Sequence, residues 1–219
     1  MVVAAHPDDE VLGCGATIAR HSAGSDIVDV LILGTGALSR DHPAPGDVAA
    51  LERQARQAGK ILGAREVRVL DFPDNRFDSV DLLDIVKRVE TEIARTGPEV
   101  IYTHHVGDLN IDHRRTAEAV VTACRPLEPG GVRRILSFEV PSSTEWQAPA
   151  AQPAFVPNVF MDVTDSLERK LEALKAYSGE IRSFPHPRSV EALTALARWR
   201  GANAGFRAAE AFVLIRERA

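Results

Sequence analysis

The chain has 219 residues, 45% of them hydrophobic and 26% charged, a soluble globular balance that excludes disordered, collagen-like and coiled-coil classes. No apolar run approaches the ~20 residues of a membrane-spanning helix. With 31 Asp+Glu against 26 Lys+Arg and a net charge of −5, no basic footprint for nucleic acid is visible.

Length favours a single domain over residues 1–219. The two cysteines, Cys14 and Cys124, are far apart and in no metal-like spacing, so they read as reduced, buried thiols. The N-terminus lacks the charged region and cleavage site of a signal peptide. Together these features predict a cytoplasmic protein.

In chain order, residues 2–5 predict a strand that ends at His6-Pro7-Asp8-Asp9-Glu10. His21 falls on a helix, where it is expected to face solvent, and His42 sits between prolines as a loop residue. Residues 27–33 predict a second strand, followed by Gly34-Thr35-Gly36 as a flexible turn. Over 47–62, Val48, Leu51, Ala55, Ala58 and Leu62 recur at helical steps up to a cap at Gly63. Strand 66–70, helix 79–95 (Leu82, Ile85, Val89, Ile93) and strand 99–103 follow.

The fourth strand runs into His104-His105, of which at least one is expected to be structural, and then into Gly107-Asp108-Leu109-Asn110-Ile111-Asp112-His113. Strand 132–138 precedes a Pro-, Ala- and Ser-rich stretch over 139–158, read as a long loop over a site. Helix 165–177 (Leu167, Leu171, Leu174) and strand 212–215 close the chain. The strands are nearly continuous apolar runs, as in sheets covered on both faces. The expected fold class is α/β, a doubly wound, mostly parallel sheet with helices on both faces.

Two motifs carry chemistry. Acids just after a strand suit a helix N-terminus, which accounts for Asp8 or Glu10. It does not account for a histidine and a proline beside them. The second motif alone would be a polar loop with Asp112 capping a helix. In a doubly wound sheet, however, the ends of the first and fourth strands adjoin at the switch point where ligands bind.

His6, Asp9 and His113 then offer two imidazoles and a carboxylate with a position left open, the pattern of a catalytic zinc site. Ferrous iron or another divalent metal would suit the same ligands. Asp8 and Asp9 point apart in an extended turn, so one can bind metal while the other serves as general base. Gly13-Cys14-Gly15 does not read as a dinucleotide fingerprint: the third glycine falls at Ile18, and acids would face the pyrophosphate.

The first motif with the distant Asp112-His113 resembles the zinc-dependent N-deacetylases of the PIG-L/LmbE family. Phe72-Pro73-Asp74-Asn75-Arg76, Tyr102-Thr103-His104-His105, Pro141-Ser142-Ser143-Thr144-Glu145-Trp146 and Pro185-His186-Pro187-Arg188-Ser189 extend the likeness over nearly the whole chain. The resemblance implies a Rossmann-like fold and removal of acetyl groups from N-acetylglucosamine derivatives. It further implies His6, Asp9 and His113 as metal ligands, Asp8 as general base and Asp112 as the residue orienting a neighbouring acid. Family members often assemble, which implies a possible homo-oligomer.

Where some members carry a histidine, this chain has Asn110, which can donate a hydrogen bond but not a proton. Asp8 returning its proton to the leaving amine is the favoured alternative. His186 and His105 are the other candidate donors, and His186 is also a weaker candidate for oxyanion stabilisation. Asn110, Arg76 and Arg188 are candidate substrate contacts, with Arg53 and Arg56 held more loosely. Trp146 is a candidate for stacking on a sugar. Two other readings stay open: a metal-dependent amidase or deacylase acting on a non-sugar N-acyl substrate, and a non-catalytic Rossmann-like ligand-binding module.

Overall fold

The computed structural model describes residues 1–36, 46–127, 130–148 and 152–219. His42 and part of the 139–158 loop lie outside the described residues. The elements run β1 (Val2–Ala4), α1 (Asp9–Ala23), β2 (Asp29–Gly34), α2 (Asp47–Leu62), β3 (Glu66–Phe72), α3 (Leu82–Thr96), β4 (Val100–His104), α4 (Ile111–Ala123), β5 (Arg134–Phe138), β6 (Val159–Asp162), α5 (Leu167–Lys175), α6 (Val190–Ala204) and β7 (Ala209–Glu217). Short 3-10 turns cover Phe77–Ser79 and Thr144–Trp146.

One seven-stranded sheet has the order β3-β2-β1-β4-β5-β7-β6. The first five strands are parallel; β7 runs antiparallel to both β5 and β6. The order switches direction between β1 and β4, as expected of a doubly wound sheet.

Alternate residues of the central strands feed two cores. Val2, Ala4, Val30 and Ile32 pack with Leu12, Ile18, Leu62 and Leu171 on one face. Val3, Ala5, Leu31 and Leu33 pack with Ile85, Val89 and Val120 on the other. Burial on both faces explains why these strands read as apolar runs without alternation. Among the described residues no helix is long and apolar enough to cross a membrane.

Helix α1 breaks at Cys14 (φ −147°, ψ 25°). A Cβ on Gly13 would lie 2.3 Å from the Phe138 ring, so only glycine lets this turn rest on the end of β5. The Gly-Cys-Gly stretch is therefore a packed helix kink. At the break, Lys170 Nζ donates to the Leu12 carbonyl at 2.8 Å and pairs with Glu210 at 2.6 Å. Glu210 in turn accepts from the Ala16 and Thr17 amides at 3.1 and 2.7 Å. The buried pair thus supplies partners to helix groups that the kink would strand.

Candidate metal centre and active-site cleft

The chain leaves β1 and turns within four residues into α1. Asp8 makes this possible with a left-handed backbone, φ 103°, a region in which Asp and Asn are enriched among non-glycine residues. Its carbonyl accepts from Val11 and Leu12 and opens the helix. Glu10 braces the turn: its carboxylate accepts from the Asp8 amide at 3.1 Å and from the Tyr177 hydroxyl at 2.5 Å. The result sends the Asp8 and Asp9 carboxylates to different partners.

Asp9 Oδ2 lies 3.3 Å from His6 Nδ1 and 3.2 Å from His113 Nε2. One ligand atom from each of His6, Asp9 and His113 falls within 4.8 Å of the other two, and all three residues are buried. The remaining ring nitrogens face carboxylates. His6 Nε2 is 2.9 Å from Asp112 Oδ2, and His113 Nδ1 is 3.1 Å from Asp108 Oδ1. A carboxylate on the far nitrogen is the usual support of a metal-bound histidine, fixing its tautomer and raising its basicity.

Both supporting acids are anchored. Asp112 accepts from the Asn75 and Phe77 amides at 2.6 and 2.9 Å. Asp108 accepts from the Ser143 hydroxyl, from Thr144 Oγ1 at 2.5 Å and from the Asn110 amide at 2.9 Å. A second convergent group, His6, Asp74 and Asp112, shares His6 but has one imidazole in place of two.

The electrostatics of the cluster favour positive charge among its carboxylates. Burial alone would push the His6 imidazole down, but its bonds to Asp112 and Asp9 and the charges of Asp9 and Asp74 lift it to about 10. Burial likewise lowers His113, and Asp9 and Asp108 outweigh it to give about 9. Burial would raise Asp9, yet the surrounding histidines hold it well below the usual carboxylate range. So many buried acids demand positive charge, and a divalent cation meets that demand while displacing the histidine protons. The donor set fits such an ion.

Asp8 stands outside both convergent groups. Its Oδ2 accepts from Arg188 Nη1 at 2.7 Å. Burial pushes its carboxyl well above the usual range, with Arg188 opposing and Asp9 adding to the rise. The cleft beside it measures about 250 Å³ and includes Asn75, Asn110, Ser142, Glu180 and Arg188 in its wall. A larger cavity of about 390 Å³, between His21, Asp29 and Tyr102, opens at the start of the strands, away from these ligands.

Several expectations change with the coordinates. Asp112, expected to orient a neighbouring acid, bonds His6 and two backbone amides. Asn110 lines the cleft, but its Oδ1 caps α4 by accepting from the Asp112 amide at 2.8 Å, and its Nδ2 donates to Asn75 Oδ1 at 3.0 Å. Arg76 is exposed and, like Arg53 and Arg56, is not among the residues lining the cleft. His186 is also outside that lining; its Nδ1 accepts from the Arg188 amide at 3.1 Å, and its ring stands 6.1 Å from Trp146.

His21 does not simply face solvent. Its two nitrogens join Asp26 Oδ2 at 2.7 Å and the Tyr102 hydroxyl at 2.8 Å. Of the pair ending β4, His104 takes the Ala5 amide on Nε2 at 2.8 Å and stacks on His113 at 4.0 Å. His105 reaches the Pro153 carbonyl at 3.1 Å. Gly36, expected to be a flexible turn, is left-handed, φ 68°, and a Cβ there would lie 2.9 Å from Pro7 Cδ.

Asp108, Glu10 and Tyr177 are the supports that sequence reasoning missed. Asp108 sits inside the second motif, five residues before His113, and that spacing was the one available signal.

Residues 1–124 match the model of the family described as PIG-L: GlcNAc-PI de-N-acetylase. This stretch holds His6, Asp8, Asp9, Asp112 and His113 and stops before Ser142, Tyr177 and Arg188. The chain is similar to the uncharacterized deacetylase YaiS of Escherichia coli K12, 31% identical over 183 residues that cover 81% of this chain and 89% of that protein. It is also similar to the diacetylchitobiose deacetylase of Thermococcus kodakarensis, 27% identical over 192 residues, covering 80% and 67%. Among solved structures, GalB, the 4-carboxy-2-hydroxymuconate hydratase of Pseudomonas putida KT2440, matches with a TM-score of 0.81 at 23% identity, over 100% of this chain and 96% of that one. At that identity the likeness is one of fold.

Proposed function

We propose, on the premise that this chain belongs to the PIG-L family of de-N-acetylases, that it hydrolyses the acetamide of an N-acetylglucosamine-type sugar or conjugate. His6, Asp9 and His113 are the residues that would hold a divalent cation, zinc in the first instance. The observation that carries the reading is their convergence beside Asp8, with Asp112 and Asp108 behind the two imidazoles. A metal bound there would polarise the acetyl carbonyl and bring the pKa of water to about 7.

The chain's own residues do the proton work. Asp8 accepts a proton as water oxygen bonds to the acetyl carbon. The same Asp8 then delivers that proton to the amide nitrogen as the carbon–nitrogen bond breaks, leaving acetate and a free amine. A carboxyl held high by burial suits both acceptance and return. Asn110 cannot provide the proton, and neither His105 nor His186 is among the cleft-lining residues, so one residue serves both steps.

The test is a panel of N-acetylated sugars, with N-acetylated amino acids alongside, assayed for acetate and free amine with zinc, with chelator and with Asp8→Asn. The expected result is release from a sugar that stops with chelator and falls roughly 10²–10⁴-fold with Asp8→Asn. Release confined to the amino acids would replace the sugar substrate with a non-sugar amide. Release indifferent to chelator and to Asp8→Asn would overturn the mechanism, and no release from any substrate would overturn the activity.

A further inference from the structure

We propose that Arg188 is a positioning residue for Asp8, not a substrate contact: it holds the Asp8 carboxylate away from the His6, Asp9 and His113 cluster, so that two adjacent aspartates keep separate tasks. This rests on the reading of the cleft given above.

Three observations carry it. Arg188 is the cation that meets Asp8, at 2.7 Å, and the pair is shielded, with side-chain exposures of 23% and 4%. The guanidinium is itself held: Nε donates to Ser142 Oγ at 2.7 Å and Nη1 lies 3.3 Å from Glu180 Oε2. Its backbone is also fixed, since the Arg188 amide donates to His186 and the next residue, Ser189, caps α6 through the Ala192 amide at 3.0 Å. Three chain segments therefore converge to aim one side chain.

The physical need is plain. Asp8 is buried between Asp9 and Glu10, with Glu180 nearby, and every one of these neighbours repels it. A carboxylate in that setting turns to whatever positive charge is in reach. Without Arg188, that charge would be a cation held by His6, Asp9 and His113 one residue away, and a second aspartate turned toward it would compete with substrate and water. The planar fork of arginine suits the task because Nε and Nη1 can be used on different partners at once; the single ammonium of lysine cannot reproduce both directions. Arg188 lies outside the stretch that matches the family model, which ends at residue 124.

The experiment compares Arg188→Ala, Arg188→Lys and Ser142→Gly with wild type by steady-state kinetics and by crystal structures with zinc bound. Glycine is chosen at Ser142 because that backbone is left-handed, φ 73°. Arg188→Ala is expected to lower kcat about 10²-fold with KM changed by less than about twofold, and to show the Asp8 carboxylate turned toward the cluster. Arg188→Lys should recover part of kcat and return Asp8 toward its place. Ser142→Gly, which removes only the brace, should give a smaller loss in the same direction.

A rise in KM with kcat intact would make Arg188 a substrate contact and overturn the proposal. So would an Asp8 side chain unmoved in Arg188→Ala, or in Arg188→Met, which keeps the length of the side chain without its charge, should the alanine variant not fold. Failure of the deacetylase reading shows separately, as wild type inactive on the whole panel, and the crystallographic result still decides the role of Arg188 in that case.

Discussion

Asp112 and His6 stand 106 positions apart, yet Oδ2 of one and Nε2 of the other meet at 2.9 Å with both side chains buried. The bond leaves Nδ1 of His6 as the nitrogen available to a metal and holds the ring against rotation. Asp112→Asn should therefore weaken zinc binding about 10- to 100-fold, read by competition with a chromophoric chelator. Asp108→Asn, acting behind His113, should do the same. Unchanged affinity in both would separate these carboxylates from the metal centre.

Lys170 and Glu210 form a buried pair that also serves the broken α1. Removing either partner leaves the other charge buried and uncompensated. Lys170→Met or Glu210→Gln should each cost about 3–5 kcal/mol, read from urea unfolding. Replacing both should cost less than the two single losses together, because the stranded charge disappears with its partner.

Asn110 gives its side-chain oxygen to the first turn of α4. Asn110→Ala should cost about 1 kcal/mol, a fall of roughly 2–4 °C in Tm for a chain of this size. Asn110→Ser, which keeps a capping oxygen, should restore most of it. Equal losses in the two variants would point to the Asn75 contact and not the cap.

Burial pushes the Cys124 thiol up to about 12 from the ordinary 9.0, with Arg216 opposing. It pushes Cys14 well above the same value. Below pH 9 both states keep these protons and stability does not depend on them. Above it the unfolded chain ionises first, so stability is lost between pH 9 and about 12, by up to about 1.4 kcal/mol per pH unit for each thiol. Urea midpoints from pH 8 to 11 should decline accordingly, with a shallower slope in Cys124→Ala.

The central strands β1, β2, β4 and β5 were legible because they are buried on both faces and their residue types declare it. The short edge strand β6 was not. Its four residues, Val159–Asp162, are only half-buried, and the apolar run Val159-Phe160-Met161 is too short to stand out from the loop before it. Helix α6 buries Leu193, Ala197 and Gly201 along one face, too small a stripe to stand out from its alanine-rich surroundings. Strand β7 was visible in part, but its antiparallel direction is a property of pairing, which composition does not carry.

At the site, the two motifs announced the candidate ligands His6, Asp9 and His113 and the neighbouring Asp8, but not the bracing roles of Glu10 and Asp108. Nor did they announce the residues that act from a distance. Tyr177 on Glu10, Ser143 and Thr144 on Asp108, and Arg188 on Asp8 are separated from their partners by 167, 35, 36 and 180 positions. Arg188 shows the difficulty best: its ion pair with Asp8 spans 180 positions, and only the coordinates reveal it.

The left-handed backbone at Asp8 limits the substitutions by which this position could change. Glycine, asparagine and aspartate accept such a conformation most readily, whereas branched side chains are strongly disfavoured there. A saturation library at position 8, selected for folding alone, should be depleted of valine, isoleucine and threonine and enriched in those three residues. Of them aspartate alone can take up and release a proton, and a move to glutamate, one methylene longer, would incur a backbone penalty before its chemistry could be tried. Local geometry and the proposed proton transfer therefore select the same residue at this position.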